Sequence, residues 1–200
     1  RSLYLSRPWA RHYQAGMLPS AEVPLKSVPD AFDEATERFG AKTALHFYDR
    51  EISYRELRDS VDRLACALSR LGLRKGERVA LYLLNSPQFV IAYFAALKCG
   101  GSVTPISPVY TSHEVRFQLE NSGARVAFCQ DILFDNIEKC GAPLEHFIVT
   151  GVAEYLSPLR RLAGRFFGAA RSADIPQRDG VHRFQSLLAS AEPNPPKVEI

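Results

Sequence analysis

The chain has 200 residues, of which 46% are hydrophobic and 24% are charged, and its formal net charge at pH 7 is +3. This composition is typical of a globular protein, and the small net charge with dispersed basic residues argues against a nucleic-acid partner. No apolar run approaches the length of a membrane-spanning helix, and the first seven residues lack the apolar core of a signal peptide. We therefore expect an intracellular, cytoplasmic protein.

The cysteines and histidines show no spacing that is typical of a metal site. Cys66, Cys99, Cys129 and Cys140 form no C-x-x-C pair, and the five histidines are scattered along the chain. We therefore expect buried free thiols in a reducing compartment and no bound metal. His113 lies in the first turn of a predicted helix, where we expect it to be solvated.

Residues 1–26 form an irregular N-terminal arm, and residues 27–72 predict a helix, a hairpin and a second helix. Ser27 and Gly40 bound the first helix by their capping chemistry. Two short strands, 43–48 and 51–53, then flank Asp49-Arg50, a turn without the glycine that tight hairpins favour. The second helix opens with a capping box made by Ser53 and Glu56 and ends at Gly72.

Residues 73–150 alternate between apolar strands and amphipathic helices. The predicted strands cover 77–84, 102–106, 125–129 and 146–150, and the predicted helices cover 87–98, 112–121 and 132–139. A second capping box, Thr111 with Glu114, opens the middle helix. This alternation predicts an α/β fold with a doubly wound, mainly parallel sheet that carries helices on both faces.

Residues 151–200 differ, because arginines interrupt an apolar helical pattern and a proline-rich linker follows at 192–196. The apolar positions are Leu156, Leu159, Ala163, Phe166 and Phe167. Two interpretations remain open. The segment could lie on an anionic membrane surface through Leu159, Arg160, Arg161, Arg165, Phe166 and Phe167. Alternatively, it could pack against the protein itself. We favour this second interpretation because apolar stripes at helical spacing usually face a core.

Six short motifs occur in an order and at a spacing that resemble one enzyme family. They are Ile52–Leu57, Lys75–Val79, Asn85–Pro87, Ala95–Gly100, Pro105–Pro108 and Thr111–Glu114. Together they resemble the N-terminal region of the adenylate-forming enzymes, the acyl-CoA synthetase and luciferase superfamily. Pro8-Trp9, His12-Tyr13 and Gly16 further resemble the opening of bacterial long-chain fatty acid–CoA ligases.

The resemblance implies a fold, an activity and a set of ligands for the parent protein. It implies a flavodoxin-like subdomain at 73–150, preceded by a helix–hairpin–helix segment of a second, incomplete sheet. The implied reaction is ATP-dependent formation of an acyl-adenylate and then an acyl-CoA thioester, with ATP, Mg²⁺ and coenzyme A as ligands. The implied partners are a fatty acid and the downstream part of the same enzyme, and a homodimer or peripheral contact with the inner face of the membrane stays open.

The family's catalytic motifs are not found in this sequence. Its phosphate loop, acidic motif and catalytic lysine are missing, and Gly100-Gly101 reads as a helix end. We therefore expect no catalytic, cofactor-binding or metal residue in this span. We interpret the span as scaffold that stops before the phosphate loop and is inactive alone. The alternatives are a ligase for an aryl, coumaroyl or amino acid, and a stand-alone flavodoxin-like binding module.

Overall fold

The computed structural model describes residues 3–17, 25–157, 160 and 175–199. The helices in this part of the chain are α1 (Leu3–Ser6), α2 (Val28–Phe39), α3 (Tyr54–Arg70), α4 (Pro87–Lys98), α5 (Ser112–Ser122), α6 (Phe134–Lys139) and α7 (Phe184–Ala189). The strands are β1 (Thr43–Phe47), β2 (Arg50–Ser53), β3 (Arg78–Tyr82), β4 (Ser102–Pro105), β5 (Val126–Gln130), β6 (His146–Thr150) and β7 (Val181–Arg183). Short 3₁₀ turns cover Pro8–His12, Asp131–Leu133 and Val152–Tyr155.

Five strands form a parallel sheet in the order β4-β3-β5-β6-β7. Val79 of β3 pairs with Val103 of β4 on one side and with Val126 of β5 on the other. β5, β6 and β7 continue the same parallel arrangement. The predicted doubly wound parallel sheet is confirmed. The four predicted strands are β3, β4, β5 and β6, which lie side by side in it.

The last strand and the last helix, β7 and α7, were not predicted. The expectation of an amphipathic or irregular segment and a linker over 151–200 is wrong for Val181–Ala189, which form a strand and a helix. β7 has only three residues, of which two are polar, so it carries no detectable period. It forms because β6 presents an open parallel edge with which Val181, His182 and Arg183 pair.

Helices cover both faces of the parallel sheet. On one face, α2, α3, α4 and α7 bury side chains such as Leu64, Ile91 and Phe184 against Leu81 and Phe128 of the sheet. On the other face, α5 and α6 bury Val115, Leu119, Phe134 and Ile137 against Tyr82, Ala127 and Val149. Strands buried on both faces are the reason that the sequence of this sheet reads as apolar runs.

The predicted hairpin and both predicted capping boxes are present. β1 and β2 pair antiparallel, and the turn places Tyr48 at φ 54°, a left-handed conformation that explains how the chain turns without glycine. Ser53 and Glu56 cap α3, and Thr111 and Glu114 cap α5 reciprocally. Hydrogen bonds from these cap residues lower the pKa of both Glu56 and Glu114.

A partly buried ion network joins α2, α3 and α4. The Lys98 Nζ atom lies 2.6 Å from Asp33 Oδ1 and 2.6 Å from Asp62 Oδ1, and Arg58 Nε lies 3.6 Å from Asp62 Oδ2. The network therefore connects the first helices to the sheet region. As expected, all four cysteines are buried free thiols, and burial raises the pKa of Cys99 to about 12.

Candidate functional site

The carboxyl ends of β3, β5 and β6 meet at one edge of the parallel sheet. The sheet order places β3 between β4 and β5, so the direction of winding reverses at β3. In open α/β sheets, ligands bind outside the carboxyl ends of the strands at such a switch point. A functional site is therefore expected at this edge.

Two buried glutamine side chains converge on Thr150 at this edge. Gln88, in the first turn of α4, donates from Nε2 to Thr150 Oγ1 at 3.1 Å and to the Gly151 carbonyl at 2.8 Å. Gln130, at the end of β5, donates from Nε2 to the Thr150 carbonyl at 3.2 Å. Because both glutamines and Thr150 are at most 1% exposed, these bonds form in the interior of the protein.

Glu154 and Asp131 complete this carboxyl-edge cluster. Glu154 accepts hydrogen bonds from Thr150 Oγ1 at 2.7 Å, from the Gly151 N–H at 3.0 Å and from Gln185 Nε2 at 3.1 Å. Asp131 lies close over Gly151, where a Cβ atom would sit only 2.8 Å from Asp131 Oδ2. A side chain at position 151 would therefore force the Asp131 carboxylate to move, and Gln185 ties the cluster to α7.

Three polar atoms in or beside this cluster have no hydrogen-bond partner among the described residues. They are Ser86 Oγ, Gln88 Oε1 and Gln130 Oε1. The Ser86 hydroxyl can donate or accept a hydrogen bond. The two amide oxygens can only accept hydrogen bonds.

The cluster does not fit the ATP phosphates that the family implies. Phosphate oxygens require N–H donors or cations, whereas this edge presents acceptor oxygens and two carboxylates. Within residues 3–17, 25–157, 160 and 175–199, no three His, Cys, Asp or Glu side chains come together as a metal site. We therefore assign this edge a structural role and derive no reaction step from it.

A second polar group on the opposite face fixes the loop that follows β4. Tyr82 donates its hydroxyl to the Tyr110 carbonyl at 3.1 Å, and Asn136 Nδ2 donates to the Tyr82 hydroxyl at 2.6 Å and to the Tyr110 carbonyl at 2.8 Å. Burial raises the pKa of Tyr82. The loop is thereby held against α6 by a neutral hydrogen-bond network.

Of the residues predicted to contact a membrane, only Arg160 is within the described part of the chain. Leu159, Arg161, Arg165, Phe166 and Phe167 lie outside it. Arg160 Nε lies 3.3 Å from Asp49 Oδ2, and its guanidinium carbon lies 5.7 Å from the centre of the Tyr48 ring. Arg160 thus contacts the hairpin turn of the protein itself, and membrane contact by its neighbours stays a prediction.

Two histidines that the sequence predicted to be scattered lie side by side in the structure. His146 Nδ1 and His182 Nε2 lie 3.1 Å apart on the neighbouring strands β6 and β7. Burial, and then the neighbouring His146, lower the pKa of His182. The pair was missed because β7 itself was missed, whereas His113 is exposed on α5 as expected. The only available signal for the carboxyl-edge cluster was the polar residues at two predicted strand ends, Gln130 directly after the strand that ends at 129 and Thr150 as the last residue of the strand 146–150.

Comparison with known proteins identifies the family. Residues 32–178 match the AMP-binding enzyme family, so the chain belongs to it. The resemblance to the N-terminal region of adenylate-forming enzymes is therefore confirmed. None of the helices in the described ranges is long and apolar enough to cross a bilayer.

The similar proteins include acyl-CoA and aryl-CoA ligases. The chain is 32% identical over 152 residues to a long-chain-fatty-acid–CoA ligase of Bacillus subtilis, covering 75% of this chain and 27% of that protein. The structure of a long-chain-fatty-acid–CoA ligase from Archaeoglobus fulgidus matches with a TM-score of 0.69 at 24% identity, over 94% of this chain and 34% of that one. An anthranilate CoA ligase bound to anthranoyl-AMP matches with a TM-score of 0.71 at 24% identity, over 88% of this chain and 30% of that one. The chain thus spans about a quarter of the length of the Bacillus subtilis relative.

Proposed function

We propose that the protein to which these residues belong is an ATP-dependent long-chain fatty acid–CoA ligase. The observation that carries the proposal is the 32% identity over 152 residues to the Bacillus subtilis ligase. The Pro8-Trp9 and His12-Tyr13 pairs support the same substrate class, because they resemble the opening of bacterial enzymes of this kind. The reaction would join a fatty acid to the thiol of coenzyme A through an acyl-adenylate.

We infer that residues 1–200 supply scaffold to that enzyme and not its chemistry. The carboxyl-edge cluster presents acceptor oxygens, and the sequence contains no phosphate loop. The isolated 200-residue chain should therefore bind Mg-ATP weakly or not at all, and should release no pyrophosphate with a fatty acid present. Titration calorimetry with Mg-ATP tests this, and micromolar affinity would contradict the scaffold role.

The substrate class is tested on the protein expressed from the whole gene. Pyrophosphate release should be measured with palmitate, benzoate, anthranilate, coumarate and phenylalanine, each with and without coenzyme A. The proposal expects the highest kcat/KM for palmitate and a thioester product only when coenzyme A is present. Activity confined to an aromatic or amino acid would contradict the fatty acid assignment but keep the family.

An aryl acid is the second candidate for the substrate. Its support is the structural similarity to the anthranilate CoA ligase, with a TM-score of 0.71. At 24% identity this similarity concerns the fold alone, so we rank the candidate below the fatty acid. The substrate panel described above separates the two.

We further propose that the enzyme is cytoplasmic and reaches its substrate at the inner face of the membrane. The segment from Leu159 to Phe167 would contribute, with Arg161 and Arg165 near lipid phosphates, its two phenylalanines at the interface, and Arg160 exchanging its Asp49 contact for lipid. Replacing Arg160, Arg161 and Arg165 with glutamine should reduce sedimentation with anionic liposomes at low salt. Equal sedimentation of the variant would show that this segment packs against the protein.

A further inference from the structure

Two imidazole side chains, those of His146 and His182, lie side by side on the last two strands of the parallel sheet. Ile148 of β6 pairs with His182 of β7, and His146 precedes Ile148 by two residues, so both histidines project from the same face of the sheet. The His146 Nδ1 atom lies 3.1 Å from His182 Nε2, and the ring centres are 5.1 Å apart. Both residues are only partly buried, so the pair is accessible to small solutes.

The distance between the two nitrogens is one that two ligands of a single metal ion adopt. Imidazole nitrogens bind Zn²⁺ at about 2.0–2.1 Å, which places two of them about 2.9 Å apart at a right angle and about 3.3 Å apart at the tetrahedral angle. The observed 3.1 Å lies between these values. Without an ion, the same approach is a hydrogen bond in which one neutral ring donates and the other accepts.

The surroundings of the pair determine how many ligands the protein supplies. The neighbouring Glu145 carboxylate accepts two bonds from the Arg125 guanidinium, which already occupies it. Among the residues that the structure describes, no group of three or more His, Cys, Asp or Glu side chains could hold a metal ion. The pair is therefore a site with two protein ligands, at which water would complete the coordination of an ion.

We propose that His146 and His182 together bind one late first-row divalent ion of the class of Zn²⁺, Ni²⁺ or Cu²⁺. Imidazole nitrogen suits these ions, whereas Mg²⁺ and Ca²⁺ prefer oxygen ligands. The ion would link β6 to β7, which has three residues and is followed directly by α7. It would hold this edge strand on the sheet, and this role does not depend on the acid that the ligase activates.

Titration calorimetry of the 200-residue chain without a histidine tag tests the binding. Zn²⁺ and Ni²⁺ are titrated separately at pH 7.5, and we expect one ion per chain with a Kd below about 100 µM. Mg²⁺ at the same concentrations should give no binding heat, because it binds nitrogen ligands poorly. The absence of saturable Zn²⁺ and Ni²⁺ binding would overturn the proposal, and so would equal binding of Mg²⁺.

Single histidine variants assign the site. His146→Gln and His182→Gln should each weaken Ni²⁺ binding about tenfold or more, because one imidazole then remains. The matched control is His113→Gln, which removes an exposed histidine on α5 and should leave the affinity unchanged. Urea unfolding in the presence of a chelator verifies that each variant folds. An equal loss in the His113 variant, or no loss in a folded His146 or His182 variant, would overturn the assignment.

Hydrogen exchange of the β7 amides tests the link between the two strands. An ion that binds only the paired strands should slow exchange through local opening about 100-fold at 100 times its Kd. The same ion should leave exchange unchanged in the double variant His146→Gln with His182→Gln. Equal slowing in the double variant would place the ion elsewhere, and no slowing in the original chain would show that the ion does not join the strands. Pyrophosphate release by the whole enzyme is a separate measurement, so the proposed function can fail or succeed independently.

Discussion

The hairpin and the parallel sheet are both β structure, but they are held in different ways. In β3 and β5, nine of the ten residues are buried, because helices cover both faces. In β1 and β2 only Ile52 is buried. Beside β1, an open apolar cleft of about 370 Å³ lies between α2 and α4, and Phe32, Leu45 and Phe94 line it. Strands of similar length therefore differ in how much of their surface the helices bury.

This difference indicates where the free energy of unfolding is concentrated. Apolar burial contributes about 25 cal/mol per Å², and a two-stranded hairpin alone is at best marginally stable. We therefore expect the hairpin to open without disrupting the sheet. The following experiments test or refine this comparison, beginning with the largest expected effect.

Hydrogen exchange should separate the two regions most clearly. Amides of residues 43–53 should exchange through local opening, whereas amides of 79–82 should exchange only through global unfolding. We expect protection in β3 to exceed that in β1 by roughly 100-fold or more. Equal protection would show that the hairpin is as firmly held as the sheet.

Matched phenylalanine truncations should have different costs in the two regions. Phe128 in β5 is fully buried and packs near Phe184, with ring centres 6.2 Å apart. Phe128→Ala should lower the free energy of unfolding by about 3–5 kcal/mol. Phe47→Ala in β1, where the ring is only partly buried, should cost about 1 kcal/mol. Urea unfolding measures both, and similar costs would contradict the comparison.

Lys98 on α4 holds α2 and α3 against the sheet region through Asp33 and Asp62, so its loss should weaken the packing of these helices. Lys98→Met leaves Asp62 buried without its ammonium partner, although Arg58 remains 3.6 Å away. We expect a loss of about 2 kcal/mol, less than for a fully isolated buried charge. Adding Asp62→Asn should recover part of the loss. If adding Asp62→Asn lowers the free energy of unfolding further, the stabilising effect of Lys98 does not act through Asp62.

The two capping boxes offer a comparison of equal local chemistry. Ser53→Ala and Thr111→Ala should each cost about 1 kcal/mol, because each removes one bond to a helix N–H. If the hairpin region opens first, Ser53→Ala should speed exchange in α3 and leave the exchange of β3 nearly unchanged. Thr111→Ala should lower the global free energy of unfolding. The same global loss for both variants would indicate one cooperative unit.

Acidification should give the smallest effect, at the edge of the sheet. Because the pKa of His182 is lowered below its ordinary value near 6.5, the unfolded chain binds more protons than the folded chain. The contribution of His182 to the free energy of unfolding is therefore fully present at higher pH, and it is lost as the pH falls through about 6.5 and below. Exchange of β7 amides at pH 5.5 and 7.5, corrected for intrinsic rates, measures the loss. His182→Gln should abolish this pH dependence, and a persisting dependence would assign it to another group.

Much of the fold could be predicted because most elements here carry their own signals. Ser53 with Glu56 and Thr111 with Glu114 mark helix starts through bonds that form within four residues. Apolar runs in the sequence predicted the buried strands, because a strand that is buried on both faces carries apolar side chains on both of them. The turn was predicted one residue too late, at Asp49-Arg50, because the structure pairs Phe47 with Arg50 and turns at Tyr48-Asp49. It needs no glycine, because Tyr48 takes the left-handed conformation.

The strands and helices between 27 and 150, the parallel sheet and the buried thiols could be predicted from the sequence, because their signals are capping residues a few positions apart or a repeated apolar period. The pairing of β7 with β6, the contact between His146 and His182, and the convergence of Gln88 and Gln130 on Thr150 became visible only in the folded chain. These contacts join residues 20 to 62 positions apart. No local period encodes such pairs, because they arise only when the sheet brings separate strand ends to one edge.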